Sequence, residues 1–141
     1  MARDSHLDKL ADVPLFSALS RKDLQRIAKA SDEVDVKAGR VLVDQGKTGH
    51  EFFLILDGQA TVRRNGKAVA GLTSGDYFGE LSLLSREPRD ASVVADTDMK
   101  LLILGQREFT GMLDSVPGLA AKILAIMARR LREADVRNIS H

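Results

Sequence analysis

Eight glycines cut the stretch from residue 34 to residue 104 into short pieces: Gly39, Gly46, Gly49, Gly58, Gly66, Gly71, Gly75 and Gly79. A helix does not survive that spacing, because each interior glycine costs roughly 1 kcal/mol relative to alanine. Short strands joined by tight turns do. Val41 and Val43 stand at the strand period. EFFLILD (51–57) has the composition of a buried strand, and ASVVA (91–95) and KLLIL (100–104) close the zone. ATVRRNGKAVAG (60–71) carries Asn65-Gly66 between two strand-like arms. Asn-Gly tolerates the positive φ angles of a type I′ turn, which makes this a hairpin. Many short strands at such intervals predict a closed or rolled antiparallel sheet.

Helical patterns flank the roll. Leu7, Leu10, Val13, Leu15 and Phe16 open a helical zone over 7–30. Within it Ser20 to Asp23 is an S-x-x-D start, and Leu24, Ile27 and Ala28 follow at helical spacing. QREFTGMLDS begins a second zone over 106–137, and Pro117 fits the first turn of a long last helix running to about Arg137. The expected class is α+β, mainly β: an antiparallel, jelly-roll-like β-roll with N-terminal helices before it and two C-terminal helices after it. With no linker in sight, residues 1–141 read as a single domain.

Composition excludes several functions. The net charge of +1 gives no reason to expect nucleic acid or an anionic membrane as a partner. The absence of cysteine excludes a disulfide framework and a thiolate nucleophile, and fits a cytoplasmic protein. No run approaches the ~18 apolar residues of a membrane span. His6, His50 and His141 are scattered without ligand spacing, so no metal is expected. Gly46-Lys47-Thr48 looks like the end of a P-loop, but Val41 stands where that loop needs glycine, and a strand follows instead of a helix. It reads as a tight turn. No catalytic constellation appears, so the chain is not expected to be an enzyme.

The stretch FGELSLLSREPRDASV (78–93) carries chemistry. Gly79 to Leu84 can form one helical turn whose first N–H groups, on Leu81 and Ser82, face outward as an anion site. Gly79 lets a ligand approach the backbone. Pro88 sets the direction of Arg89, a forked cation suited to phosphate. Glu80 can accept two hydroxyl hydrogen bonds, as a ribose would offer. These residues describe a sugar-phosphate cradle. Spacing alone reads equally well as a structural ion pair between Glu80 and Arg89.

This stretch resembles the phosphate-binding cassette of the cyclic nucleotide-binding domain family: Phe78-Gly79-Glu80-Leu81-Ser82-Leu83-Leu84, three residues, then Pro88-Arg89-Asp90-Ala91-Ser92-Val93. LFSALSRKDLQRIA (15–28), AGRVLVDQGKTGHEFFLILDGQATV (38–62) and REFTGMLDSVPGLAAKIL (107–124) are also similar to the family, so the likeness covers nearly the whole chain. It implies a receptor for cAMP or cGMP as ligand, with no cofactor. Glu80, with Gly79 beside it, would hold the ribose 2′-hydroxyl. Arg89 and the backbone at Leu81, Ser82, Asp90 and Ala91 would hold the phosphate, and Val62 and Val69 would line the base. The last helix would act as lid and lever.

One position departs from the pattern. The family has a small residue after the arginine, where this chain has Asp90. Its carboxylate would point to solvent, pair with a cation such as Arg86, or accept from a guanine amino group. The first two are preferred here, which makes cAMP the expected ligand over cGMP. A degenerate member that binds proteins and no nucleotide is the alternative.

Ala120, Leu124, Met127, Leu131 and Ala134 form a short a/d seam on the last helix. It is expected to pack on the roll or the N-terminal helices, and it also offers a route to a homodimer. ARRLRE (128–133) is expected to be a solvated basic face. After Arg137 only four residues remain, so output is expected to pass to an effector protein or a fused domain outside this sequence.

Overall fold

The structure, a computed structural model, describes residues 2–139, with side chains over 6–133. Ala134 and His141 lie outside the described side chains. Helix α1 (Ala2–Ala11), a 3-10 turn (Pro14–Phe16) and α2 (Arg21–Ala30) come first. The strands are β1 (Asp32–Val36), β2 (Val41–Val43), β3 (Glu51–Asp57), β4 (Ala60–Arg64), β5 (Lys67–Leu72), β6 (Tyr77–Phe78), β7 (Ser92–Ala95) and β8 (Met99–Gly105). Helices α3 (Gln106–Ser115) and α4 (Leu119–Ile139) end the chain.

The strands form two four-stranded antiparallel sheets, ordered β1-β8-β3-β6 and β2-β7-β4-β5. The rolled antiparallel architecture expected from the glycine spacing is present. Strand β3 shows why EFFLILD has no polar alternation. Phe52, Leu54 and Leu56 face a core shared with the helices, whereas Phe53 and Ile55 face the interior of the roll. A strand buried on both faces reads as one apolar run. Strand β8 divides the same way, with Leu102 and Leu104 against the helices and Met99 and Leu101 inside. Phe16 meets Phe52 edge-on at 5.4 Å and fixes the N-terminal helices on that outer face.

Local chemistry sets the ends of these elements. Ser20 Oγ accepts from the Asp23 N–H at 3.1 Å, and Asp23 Oδ2 accepts from the Ser20 N–H at 3.4 Å. The short aspartate thus closes a full capping box. Asn65 (φ 53) and Gly66 (φ 79) join β4 to β5 in the expected two-residue turn. Pro117, expected in the first turn of the last helix, lies before it. Gly118 at φ 80 separates the two, and α4 starts at Leu119.

The seam on α4 does not pack as expected. Leu119, Ile123 and Ile126 are the buried residues, Met127 is half-buried, and Leu124 and Leu131 are 69% and 67% exposed. The apolar stripe that meets the body is offset from the heptad positions, because the helix leans on the 3-10 turn at Pro14–Phe16 and on α3 along its own 3.6-residue period. No single described helix is long and apolar enough to cross a membrane.

Candidate functional site

The cassette is held between two well-anchored points. On one side Phe78 stacks on Phe53 at 4.6 Å, and β6 pairs with β3. Gly79 then takes a left-handed conformation (φ 80, ψ 17) and turns the chain into a 3-10 turn over Glu80–Leu83. Leu83 is buried in the helix-side core and pins the turn. On the other side Arg89 pairs by backbone with the 44–49 turn: its N–H donates to Lys47 O, and its carbonyl accepts from Gly46 N–H, both at 2.8 Å. Gly46-Lys47-Thr48 is therefore a tight turn that braces the cassette.

Between these points lies a cavity of about 450 Å³, within the usual range for small-molecule sites. Gly79, Glu80, Leu81, Ser82, Arg89 and Asp90 all line it. Tyr77 lines it too. Burial, and next the Glu80 charge, push its phenol pKa up.

Glu80 and Arg89 do not pair with each other. Arg89 Nη2 donates to the carbonyl of Glu51 at 2.8 Å, and its guanidinium carbon lies 6.0 Å from the centre of the Phe53 ring. Among the described residues no carboxylate forms an ion pair with it. Burial lowers the Arg89 pKa, against the opposing charge of Glu51. Gly49 and Gly79 make room for this side chain. A Cβ on Gly49 would run into the guanidinium and stand 2.6 Å from Ser82 Oγ. A Cβ on Gly79 would stand 2.6 Å from the Glu51 carbonyl oxygen, the one Arg89 uses.

Glu80 is 9% exposed. Its Oε1 accepts from Arg130 Nη1 of α4 at 2.8 Å. That hydrogen bond raises the Arg130 pKa, against its own burial. Glu80 Oε2 is buried and has no hydrogen-bond partner among the described residues. With Oε1 taken, the carboxylate offers one open acceptor, not the two expected from sequence. Arg130 was expected on a solvated basic face. It turns inward because the helix rotation that buries Ile123 and Ile126 carries position 130 to the same side.

The remaining site residues divide. The Ser82 N–H, expected to be open, donates to Gly79 O at 3.0 Å and closes the 3-10 turn, whereas the Leu81 N–H is outside that bond. The Asp90 carboxylate is 90% exposed and faces Arg64 at 3.5 Å. Arg86, the cation expected to meet it, instead donates to Gln106 Oε1. Ala91 is buried at the entry to β7. Val62 and Val69 are not among the residues lining the cavity. Val62 packs half-buried on the interior core. Val69 is exposed at a register shift where Val62 opposes Ala70 and Arg63 opposes Ala68.

These features define an antiparallel roll in which a buried acceptor and a half-buried cation share one cavity. The profile of the cyclic nucleotide-binding domain matches residues 33–116. The cAMP-dependent protein kinase regulatory subunit of Schizosaccharomyces pombe is 43% identical over 105 residues, covering 74% of this chain and 26% of that protein. The crystal structure of the N-terminal domain of a transcriptional regulator from Streptomyces coelicolor A3(2) superposes with a TM-score of 0.85 at 30% identity, covering 92% of this chain and 94% of that one. The catabolite activator protein of Thermus thermophilus superposes at 0.69 with 32% identity, covering 88% and 61%. The chain belongs to the cyclic nucleotide-binding domain family. It spans about a quarter of the length of the curated relatives it matches.

Proposed function

We propose that residues 1–141 form one cyclic nucleotide receptor domain without catalytic activity, that it binds cAMP in preference to cGMP, and that α4 carries the signal. The observation that carries this reading is the pairing of two needs in one cavity that the described residues leave unmet: a buried carboxylate oxygen without a donor and a half-buried guanidinium without a counter-ion. A cyclic nucleotide supplies one hydroxyl and one phosphate anion, which meets both. Arg89 and the N–H groups of Leu81 and Ala91 would hold the phosphate, with Ser82 contributing its hydroxyl in place of its engaged N–H. Glu80 Oε2 would accept from the ribose 2′-hydroxyl beside Gly79. The base would lie along the β4–β5 arm that carries Val62 and Val69.

Asp90 faces Arg64 and solvent, so it is neither aimed at the phosphate nor offered to a guanine amino group; this favours cAMP. Glu80 links the ligand to α4 through Arg130, and the exposed Leu124 and Leu131 give α4 a face toward an effector protein, a fused output domain or a second copy. The S. pombe regulatory subunit supports the regulatory reading. The test is binding of cAMP and 2′-deoxy-cAMP to the parent and to Glu80→Ala. The parent should bind the deoxy analogue more weakly, and Glu80→Ala should not discriminate. Equal losses in both proteins would remove Glu80 from the ribose.

A further inference from the structure

The departure at Asp90 comes with a partner on another strand. Arg64, the last residue of β4, grips Asp90 twice: Nε donates to the Asp90 carbonyl at 3.3 Å, and Nη2 stands 3.5 Å from Oδ2. The arm that presents Arg64 is itself fastened. Gln45 Nε2 donates to Asn65 Oδ1, and Asn65 N–H donates to Gln45 Oε1, both at 2.9 Å. Gln45 N–H in turn donates to Ser92 Oγ at 2.8 Å. The hairpin tip, the 44–49 turn and residues 89–92 therefore form one brace, with Arg64 reaching across it.

From this geometry we infer that Arg64 is a positioning residue of the phosphate site, holding the Asp90 carboxylate away from the bound phosphate. The inference rests on the cyclic nucleotide reading above. Two effects act together. The guanidinium offsets a carboxylate that would otherwise repel an anion in the same cavity. Its grip on the Asp90 carbonyl also fixes the peptide between Asp90 and Ala91. In a planar trans peptide the N–H points opposite to the C=O, so the Ala91 N–H is turned away from Arg64. The carboxylate effect is the larger, because it acts between full charges, whereas the carbonyl contact is a single hydrogen bond at 3.3 Å.

The test is a cycle of cAMP titrations on the parent, Arg64→Met, Asp90→Asn and the double variant, with Arg64→Lys and Arg89→Ala alongside. Arg64→Met should weaken cAMP by roughly two- to fivefold. In the Asp90→Asn background, measured against Asp90→Asn itself, the loss on Arg64→Met should shrink to the small remainder due to the carbonyl contact. Arg64→Lys should restore most of the affinity, and the loss should shrink at high salt, as it would not if Arg64 only held the fold. An equal loss in both Asp90 backgrounds, or no loss, overturns the inference while parent binding that Arg89→Ala abolishes leaves the site reading intact. A parent that does not bind cAMP, or an Arg89→Ala that binds as well, overturns the site reading and this inference with it.

Discussion

Replacing Arg130 with methionine tests how α4 is tied to the site. The helix meets the body through Leu119, Ile123 and Ile126, through Lys122 Nζ on Asp23 Oδ2 at 3.0 Å, and through Arg130 Nη1 on Glu80 Oε1 at 2.8 Å. Among the described residues, the Arg130 contact is the one that lies beyond Met127. Methionine keeps the aliphatic stem and removes the charge and its donors. A hydrogen bond to a charged group is worth about 1.5–3 kcal/mol. The Arg130 side chain is 39% exposed, and solvent screening brings the figure to about 1–2 kcal/mol. That is roughly a five- to thirtyfold rise in local opening. Hydrogen exchange reads it directly. Amides of residues 127–133 should lose protection by that factor, whereas Leu119–Ile126 should hold theirs. Unchanged exchange over 127–133, or an even loss along the whole helix, would refute the tether.

Three further outcomes follow from the same geometry. Gly79→Ala should destabilise the fold by about 1–3 kcal/mol, because alanine disfavours φ 80 and its Cβ meets the Glu51 carbonyl; thermal melting checks it. Burial would raise the Asp23 pKa, but hydrogen bonds from Lys122 and Ser20 outweigh it and hold the group below its ordinary 3.8. Its folded pKa being depressed, the contribution is complete above that value and lost as pH falls through the folded one, so the stability gap between the parent and Asp23→Asn should close below about pH 4 in urea melts. Leu131→Lys should leave monomer stability within about 0.5 kcal/mol of the parent, since the side chain is two-thirds exposed; a large loss would mean the seam is buried after all.

What the sequence showed and what it hid have physical causes. Glycine spacing, Asn65-Gly66 and the buried run at 51–57 are local signals, and each marked its element. The cassette glycines were legible because a close approach to Arg89 leaves no room for a side chain at Gly79. Partners distant in sequence were not legible. Arg130 sits 50 positions from Glu80, and nothing in ARRLRE marks which arginine turns inward. The rotation of α4 is set by its packing on the 3-10 turn at Pro14–Phe16 and on α3, and not by the heptad, so Leu124 and Leu131 read as a seam and stand in solvent. Asp90 was recognised as unusual, but its cation came from a strand 26 residues earlier instead of from neighbouring Arg86. Tyr77 carried no signal of its own before β6 placed it at the cavity.

The most direct measurement is calorimetric titration of cAMP into the parent chain and into Arg89→Ala, with circular dichroism confirming that both are folded. The parent should show saturable one-to-one binding. Arg89→Ala should bind at least about tenfold more weakly, the equivalent of one lost charge-assisted hydrogen bond. A folded parent that takes up no cAMP, or an Arg89→Ala that binds it equally well, would contradict the assignment of this cavity to a cyclic nucleotide.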